Sequence, residues 1–172
     1  MNPFRWSFRA QFLTGFLACA GLLGYALYVQ FQLGIEPCPF CIFQRLCFAA
    51  LGLMFLLGGL HAPKGAGGRR VWGVLAFLSS AVGMAYAGRH SWVQMYPPGM
   101  PTCGPGLNYI VEQYSWLGAA RKVLQATGDC ANIDWTFLGL SMPMWAFLWF
   151  VGLGLGALYA GFKGRDSRWF RR

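Results

Sequence analysis

The chain has very little charge for its length. Only 11% of its 172 residues are charged, whereas soluble domains average about 25%. Hydrophobic residues make up 56% of the chain, which excludes a disordered protein. Its 24 glycines keep no three-residue period, which excludes a collagen-like fibre. A soluble domain of this size could not hide so much apolar surface, so a small polytopic membrane protein is the class that remains.

Several sequence signatures are also missing. The chain has no glycine-rich loop that would cradle a phosphate. It has no basic stripe with interleaved aromatic residues, so we expect no nucleic-acid partner, and the net charge of +9 needs another cause. Six cysteines are too few for a disulfide-dense scaffold, but they are unusual enough to need an explanation.

Four long apolar stretches predict membrane-spanning helices. Their approximate bounds are residues 12–31, 42–60, 71–88 and 140–162. Each stretch can supply the roughly 20 residues that cross about 30 Å of hydrocarbon. The predicted fold is therefore an all-α, four-helix transmembrane bundle forming one membrane domain, with connecting loops at about 32–41 and 89–139.

The basic residues predict the orientation of these helices, because Lys and Arg are enriched in cytoplasmic segments. Ten of the fourteen basic residues lie in the two terminal tails and in the hinge at 62–70. Four of the five acidic residues lie toward the opposite side, in the two predicted loops. We therefore expect both termini to face the cytoplasm and both loops to face outward, so the net positive charge mainly records topology.

Four of the six cysteines fall on the outer side in this topology, where disulfides persist. Cys38 and Cys41 form a C-x-x-C pair, and Cys103 and Cys130 lie far apart in the second loop. A bridge between the distant pair could simply restrain that loop. A C-x-x-C bridge closes too small a ring to stabilise much, and such pairs serve redox exchange or metal binding. The sequence leaves all three pairings of the four cysteines open.

The residues around the C-x-x-C pair favour redox chemistry. Pro37 and Pro39 keep the chain non-helical before the second helix, so Cys41 should lie near the helix start. Unpaired backbone N–H groups stabilise a thiolate there. Arg45 lies one turn deeper, at the edge of the apolar layer, where a charge is costly. It is either an anchor that reaches toward the membrane surface or a cation that stabilises the Cys41 thiolate or an anionic ligand.

The remaining chemically interesting residues carry weaker signals. Cys19 and Cys47 lie inside apolar spans, and we expect both to be inert core residues. His90 and Gln94 are one turn apart on one face, where the third helix continues or ends.

These motifs resemble those of the DsbB family of bacterial disulfide-forming membrane proteins. The run from Pro37 to Arg45 is similar to the C-x-x-C-x-x-Q-R signature of that family. The block at 128–145, which contains Gly-Asp-Cys and Met-Pro-Met-Trp, is similar to the family before its last helix. Further points of resemblance are His90, Gln94, Tyr96, Pro97, Thr102 and Cys103.

The resemblance implies a protein of the bacterial inner membrane with two periplasmic loops. It would reoxidise a soluble DsbA-type thiol oxidase and pass electrons to a membrane quinone, either ubiquinone or menaquinone. By position, Cys103 would form the mixed disulfide with the oxidase, and Cys130 would be its disulfide partner.

The resemblance also implies roles around the first pair. Cys38, in a disulfide with Cys41, would exchange with the loop couple, and Cys41 would face the quinone with Arg45 beside it. His90 and Gln94 match positions near the quinone of the family.

Two other classes of protein fit part of the pattern. A metal-handling membrane protein could combine the C-x-x-C pair with methionines to bind Cu(I) or Zn²⁺, although methionine is common in membrane spans and histidine is scarce. The methionines on that side are Met95, Met100, Met142 and Met144. A protein merely stapled by disulfides would leave the C-x-x-C pair and Arg45 idle. The sequence therefore predicts an oxidoreductase without a metal.

Overall fold

The computed structural model describes residues 6–34, 37–96, 118 and 136–163. Within these ranges, four helices are long and apolar enough to cross a membrane: α1 (Phe8–Leu33), α2 (Pro39–His61), α3 (Ala66–Met95) and α4 (Met142–Phe162). A short antiparallel hairpin precedes α4 and consists of β1 (Thr136–Phe137) and β2 (Leu140–Ser141). The predicted all-α, four-helix membrane bundle is confirmed, while the orientation of its termini stays a prediction.

The helices differ from the predicted spans mainly at their ends. α2 begins at Pro39 instead of residue 42, because proline suits the first helical turn, where its missing N–H would have no partner. α3 continues to Met95, well past residue 88, so the residues at 89–95 are helical and not part of a loop. The predicted span ended at residue 88 because Arg89 interrupts the run of apolar residues. A charged residue ends a hydrophobic run, but it does not end a helix. α4 begins at Met142 because the hairpin takes the two residues before it.

Glycines allow α3 and α4 to approach closely. A Cβ atom at Gly73 would lie 2.8 Å from the carbonyl oxygen of Ala157, and one at Gly161 would lie 2.9 Å from that of Arg69. The Ser80 hydroxyl donates a buried hydrogen bond of 2.6 Å to the carbonyl oxygen of Phe150 across the same interface. Small residues and an interhelical hydrogen bond are the usual means of helix association in lipid.

The glycine pair Gly152 and Gly156 does not serve this packing. Their i, i+4 spacing suggests a surface for close helix contact, but a Cβ atom added at either position meets nothing within 4 Å in the described structure. Both residues instead line a cavity of about 260 Å³ between α1 and α4. Gly154 lies on the opposite face of α4 and packs against Ser80 of α3.

Aromatic rings fill the centre of the bundle. Phe48 of α2 stacks on Phe150 of α4 with their ring centroids 3.9 Å apart, and Phe12 of α1 meets Phe55 of α2 edge-on at 5.2 Å. Cys19 is buried in this core, and Cys47 is half-buried against it. Cys19 is therefore a core residue, and Cys47 packs against the core at its edge.

Candidate functional site

Cys38 caps the N-terminus of α2. Its backbone is extended, and its sulfur accepts a hydrogen bond of 3.4 Å from the backbone N–H of Cys41. Pro39 occupies the first turn, as the sequence indicates. An anionic sulfur at the cap would be stabilised by this N–H and by the positive end of the helix dipole. The sequence predicted that Cys41 would be the thiol stabilised at the helix start. In the structure, the sulfur that caps the helix belongs to Cys38.

The sulfur atoms of Cys38 and Cys41 are 3.0 Å apart. The two side chains are therefore in direct contact, with their sulfurs somewhat farther apart than the about 2.05 Å of a disulfide bond. Roughly 1 Å of movement would bring them to bonding distance. Both residues are partly exposed, as thiols that exchange electrons with other molecules must be.

His90 comes from α3 and lies against this pair. Its Nε2 atom is 3.9 Å from the sulfur of Cys38, and its Nδ1 atom is 3.1 Å from the side-chain nitrogen of Gln44. The imidazole ring also stacks on Phe40, with the centroids 5.2 Å apart and the planes 16° from parallel. Only 2% of His90 is exposed. Three contacts therefore hold a buried imidazole beside the capping sulfur.

Arg45 joins α2 to α1. One guanidinium nitrogen donates a hydrogen bond of 3.0 Å to the carbonyl oxygen of Ala26, and another donates to Oε1 of Gln30. The forked shape of the guanidinium suits two acceptors at once. Both contacts are with α1, so any effect of this cation on the Cys41 thiolate acts through space.

Gln94 lies in the last turn of α3, one turn after His90. Its side-chain oxygen accepts a hydrogen bond of 2.6 Å from the hydroxyl of Ser141, the residue immediately before α4. The indole N–H of Trp145 donates to the carbonyl oxygen of Phe137 in the hairpin at 3.0 Å. These two bonds fasten the start of α4 to α3 and to the hairpin.

An apolar cavity of about 300 Å³ adjoins Cys41. It is lined by residues of α1, α2, the hairpin and the start of α4. Its lining includes Cys41, Gln44, Phe48, Phe137, Trp145 and Trp149. Small-molecule sites in proteins are usually apolar clefts of about 300–1,000 Å³ with a few polar groups. This cavity has that character, and Cys41 forms part of its wall.

The structure groups the predicted residues differently from the sequence. Cys38, Cys41 and His90 form one cluster. The residues predicted to contact the quinone, Arg45, His90 and Gln94, are not in the lining of the cavity just described. Gln44 is in that lining, and sequence reasoning gave it no role. The available signal was a polar side chain one turn after Cys41, at the Q position of the C-x-x-C-x-x-Q-R signature. Cys103 and Cys130 lie outside the described residues.

Comparison with known proteins gives a consistent result. The family described as "Disulfide bond formation protein DsbB" matches residues 8–160. The protein named "Disulfide bond formation protein B" from Xanthomonas campestris pv. campestris (strain 8004) is 64% identical over 169 residues, which cover 98% of each chain. Its namesake from Xanthomonas axonopodis pv. citri is 64% identical over 168 residues, covering 97% of this chain and 98% of the relative. A third, from Xylella fastidiosa (strain 9a5c), is 52% identical over 169 residues, again 98% of each chain.

Proposed function

The chain belongs to the DsbB family of disulfide bond formation proteins, and on that basis we propose that it is a protein thiol–quinone oxidoreductase of the bacterial inner membrane. In this proposal it reoxidises a periplasmic DsbA-type thiol oxidase. Two disulfides, Cys103–Cys130 and Cys38–Cys41, carry the electrons to a membrane quinone, ubiquinone or menaquinone. Both termini face the cytoplasm, and the two loops face the periplasm.

One observation carries the proposal: the dithiol has two different sides. Cys41 forms part of the wall of the apolar cavity, while the sulfur of Cys38 lies against His90 at the helix cap. A dithiol that transfers electrons between a protein thiol and a small molecule needs such an arrangement. One sulfur must meet the incoming thiolate of the protein partner and the other must meet the acceptor.

The cavity fits a quinone ring. It is apolar, it holds aromatic side chains such as Trp145 and Trp149, and Gln44 supplies a polar group next to Cys41. Flat aromatic side chains favour a flat, uncharged ring, and one polar group can orient it. When bound there, the quinone supplies an acceptor for two electrons and two protons.

The residues of the chain would move the electrons by thiol–disulfide exchange. A thiolate of the reduced oxidase attacks the Cys103–Cys130 disulfide at Cys103, forming a mixed disulfide and releasing Cys130 as a thiolate. The second thiol of the oxidase then attacks the mixed disulfide, which oxidises the oxidase and leaves both loop cysteines reduced. These cysteines reduce the Cys38–Cys41 disulfide in the same way. In total, two thiols of the oxidase become one disulfide, and two electrons and two protons reach the quinone.

Three side chains have supporting roles in this proposal. The backbone N–H of Cys41 and the imidazole of His90 stabilise a thiolate at Cys38 when it leaves its mixed disulfide with a loop cysteine. Arg45 holds α1, one wall of the cavity, against α2. Gln94 positions the start of α4, another wall, through its bond to Ser141. Gln94 is thus a positioning residue whose influence on the quinone is indirect.

The decisive experiment is quinone reduction by the purified full-length protein in detergent. Reduced DsbA-type oxidase is added, and the loss of quinone absorbance is followed. We expect turnover for the natural chain and for Cys47→Ser, whose thiol packs in the core, and none for Cys38→Ser or Cys41→Ser. Oxidation of the partner without any change in the quinone would refute the quinone as acceptor.

A further inference from the structure

Cys38, Cys41 and His90 together form a set of metal-ligating side chains. Their sulfur and imidazole nitrogen atoms all lie within 4.8 Å of one another. The two sulfur atoms are 3.0 Å apart, and Nε2 of His90 is 3.9 Å from the sulfur of Cys38. Two thiols and one imidazole are a donor set that Zn²⁺ prefers.

These distances are close to those of a zinc site. Tetrahedral zinc has Zn–S bonds of about 2.3 Å and Zn–N bonds of about 2.0–2.1 Å, which sets two sulfur ligands about 3.8 Å apart and a sulfur and a nitrogen about 3.5 Å apart. The two cysteine sulfurs would separate by roughly 0.8 Å, and the imidazole would approach Cys38 by roughly 0.4 Å. The sulfur of Cys41 and the imidazole nitrogen lie within 4.8 Å of each other, so this third pair would approach by at most roughly 1.3 Å.

We propose that the dithiol form of this centre binds one Zn²⁺ through Cys38, Cys41 and His90. Two Zn–S bonds and one Zn–N bond form, the two thiol protons pass to water, and no electrons are transferred. The two thiolates neutralise the charge of the ion at the edge of the apolar layer. Three protein ligands leave the fourth zinc position open, and water fills it.

The surroundings of His90 support its assignment as a ligand. Histidines that bind metals generally donate their other ring N–H to a neighbouring acceptor, which fixes the ring and its tautomer. The side-chain amide of Gln44 occupies that position, 3.1 Å from Nδ1. Because an amide has a donor and an acceptor end, a half-turn presents its oxygen to the Nδ1–H group, and Nε2 keeps its lone pair for the metal. The stack with Phe40 holds the ring in the same orientation.

This site would be gated by redox state. Oxidation to the Cys38–Cys41 disulfide removes two of the three ligands, so only the reduced centre binds zinc. Bound zinc in turn occupies both thiolates and prevents their oxidation. Bound zinc would therefore inhibit quinone reduction, and this consequence rests on the proposed function. The binding of zinc itself rests on the geometry alone. The sequence predicted no metal because methionine is common in membrane spans and histidine is scarce, and the metal alternative that it considered did not include His90.

The test measures zinc binding by the full-length protein in detergent, with no quinone added. Cys103 and Cys130 are replaced by serine so that their thiols cannot contribute. The protein is reduced, freed of reductant and titrated with Zn²⁺ in competition with a chromophoric chelator. We expect one Zn²⁺ per reduced chain and no binding after oxidation of the remaining pair. Cys47→Ser and His61→Ala in the same background should leave the affinity unchanged.

Single substitutions identify the ligands. Cys38→Ser, Cys41→Ser and His90→Ala should each lower the affinity by about 100-fold or more, since loss of a supporting residue alone costs roughly 10–100-fold. Gln44→Met, which removes only the support, should cost roughly 10–100-fold. His90→Gln provides a larger replacement in case His90→Ala fails to fold. Co²⁺ used as a probe should show sulfur-to-metal charge-transfer absorption that Cys38→Ser weakens.

Two outcomes would overturn the zinc site: no binding by the reduced protein, or an affinity that neither His90→Ala nor His90→Gln changes. Neither result bears on quinone reduction, which is measured separately with the oxidase. Conversely, a chain that binds zinc but does not reduce a quinone would contradict the proposed function and leave the zinc site intact.

Discussion

Arg45 of α2 donates a hydrogen bond of 3.0 Å to the backbone carbonyl oxygen of Ala26 in α1. Ala26 itself lines the apolar cavity beside Cys41. A charged residue at the edge of an apolar layer is costly unless it is well paired, and here the pairing fixes the distance between two walls of the cavity. The shape of the cavity therefore depends on the guanidinium group of Arg45.

Arg45→Ala should weaken quinone binding more than it weakens binding of the thiol oxidase. The substitution removes both bonds to α1, and a hydrogen bond from a charged group contributes about 1.5–3 kcal/mol. We expect the KM for quinone to rise roughly tenfold, which corresponds to about 1.4 kcal/mol. The KM for the oxidase should stay near its natural value.

Arg45→Lys separates charge from geometry, because lysine keeps the positive charge but not the forked pair of donors. A KM between those of the natural chain and Arg45→Ala would match the structure, and Lys64→Ala serves as a control for loss of a distant charge. An equal rise of both KM values in Arg45→Ala would contradict the link between this residue and the cavity.

Ala146→Phe tests the cavity itself. Ala146 lies in its wall, on the first turns of α4, and a phenyl ring there would occupy space that the quinone needs. We expect the KM for quinone to rise at least tenfold while the rate of dithiol exchange with the oxidase is unchanged. Steady-state quinone reduction and single-turnover thiol exchange measure the two quantities.

Ala50→Phe is the matched control for Ala146→Phe, since Ala50 is an exposed residue of α2 outside the cavity lining. Both variants add the same side chain to a membrane helix. If the two variants bind quinone equally well, the cavity is not the quinone site.

The helices could be predicted from sequence because each one is encoded locally. A run of apolar residues long enough to span the hydrocarbon is visible without any knowledge of its neighbours. Pro39 also marks the start of α2 by its own chemistry. What failed was the end of α3, where Arg89 and His90 interrupt the apolar run while their backbone continues as a helix to Met95.

The site could be predicted only in part, because its contacts depend on how the helices pack. The C-x-x-C spacing of Cys38 and Cys41 is local, so it could be recognised in the sequence. The contact between Cys38 and His90 joins residues 52 positions apart, and no periodicity in either segment encodes it. The same holds for Arg45, whose partners in α1 are selected by the α1–α2 interface, and for Gln44, whose role depends on the cavity next to it.

Gly73→Ala should destabilise the bundle. The new methyl group would lie 2.8 Å from the carbonyl oxygen of Ala157 and would force α3 and α4 apart. Overpacking of this kind typically costs about 1–3 kcal/mol. Thermal unfolding in detergent should show a lower Tm for this variant.

Gly152→Ala is the control for Gly73→Ala, because it makes the same change in a helix where the added Cβ meets nothing within 4 Å in the described structure. Alanine is the better helix former by about 0.5–1 kcal/mol, so this variant should be as stable as the natural chain or slightly more stable. The opposite order of stability would contradict the α3–α4 contact at Gly73.

Cys130→Ser tests the roles that resemblance assigns to the loop cysteines, which lie outside the described residues. If Cys103 receives the attack of the oxidase and Cys130 is its disulfide partner, the serine variant leaves Cys103 as a lone thiol. Its thiolate can attack the disulfide of the oxidised form of the oxidase, which forms a mixed disulfide and releases the second oxidase sulfur as a thiolate, and Cys130 is no longer there to resolve the mixed disulfide. Non-reducing electrophoresis should show a covalent adduct with the combined mass of both proteins, and reductant should release it.

The variant with serine at both Cys103 and Cys130 should give no adduct, whereas Cys47→Ser added to Cys130→Ser should still give it. An adduct that forms equally without Cys103 would assign the oxidase-binding role to a different cysteine, and Cys38, which is partly exposed at the cap of α2, would be the first to examine.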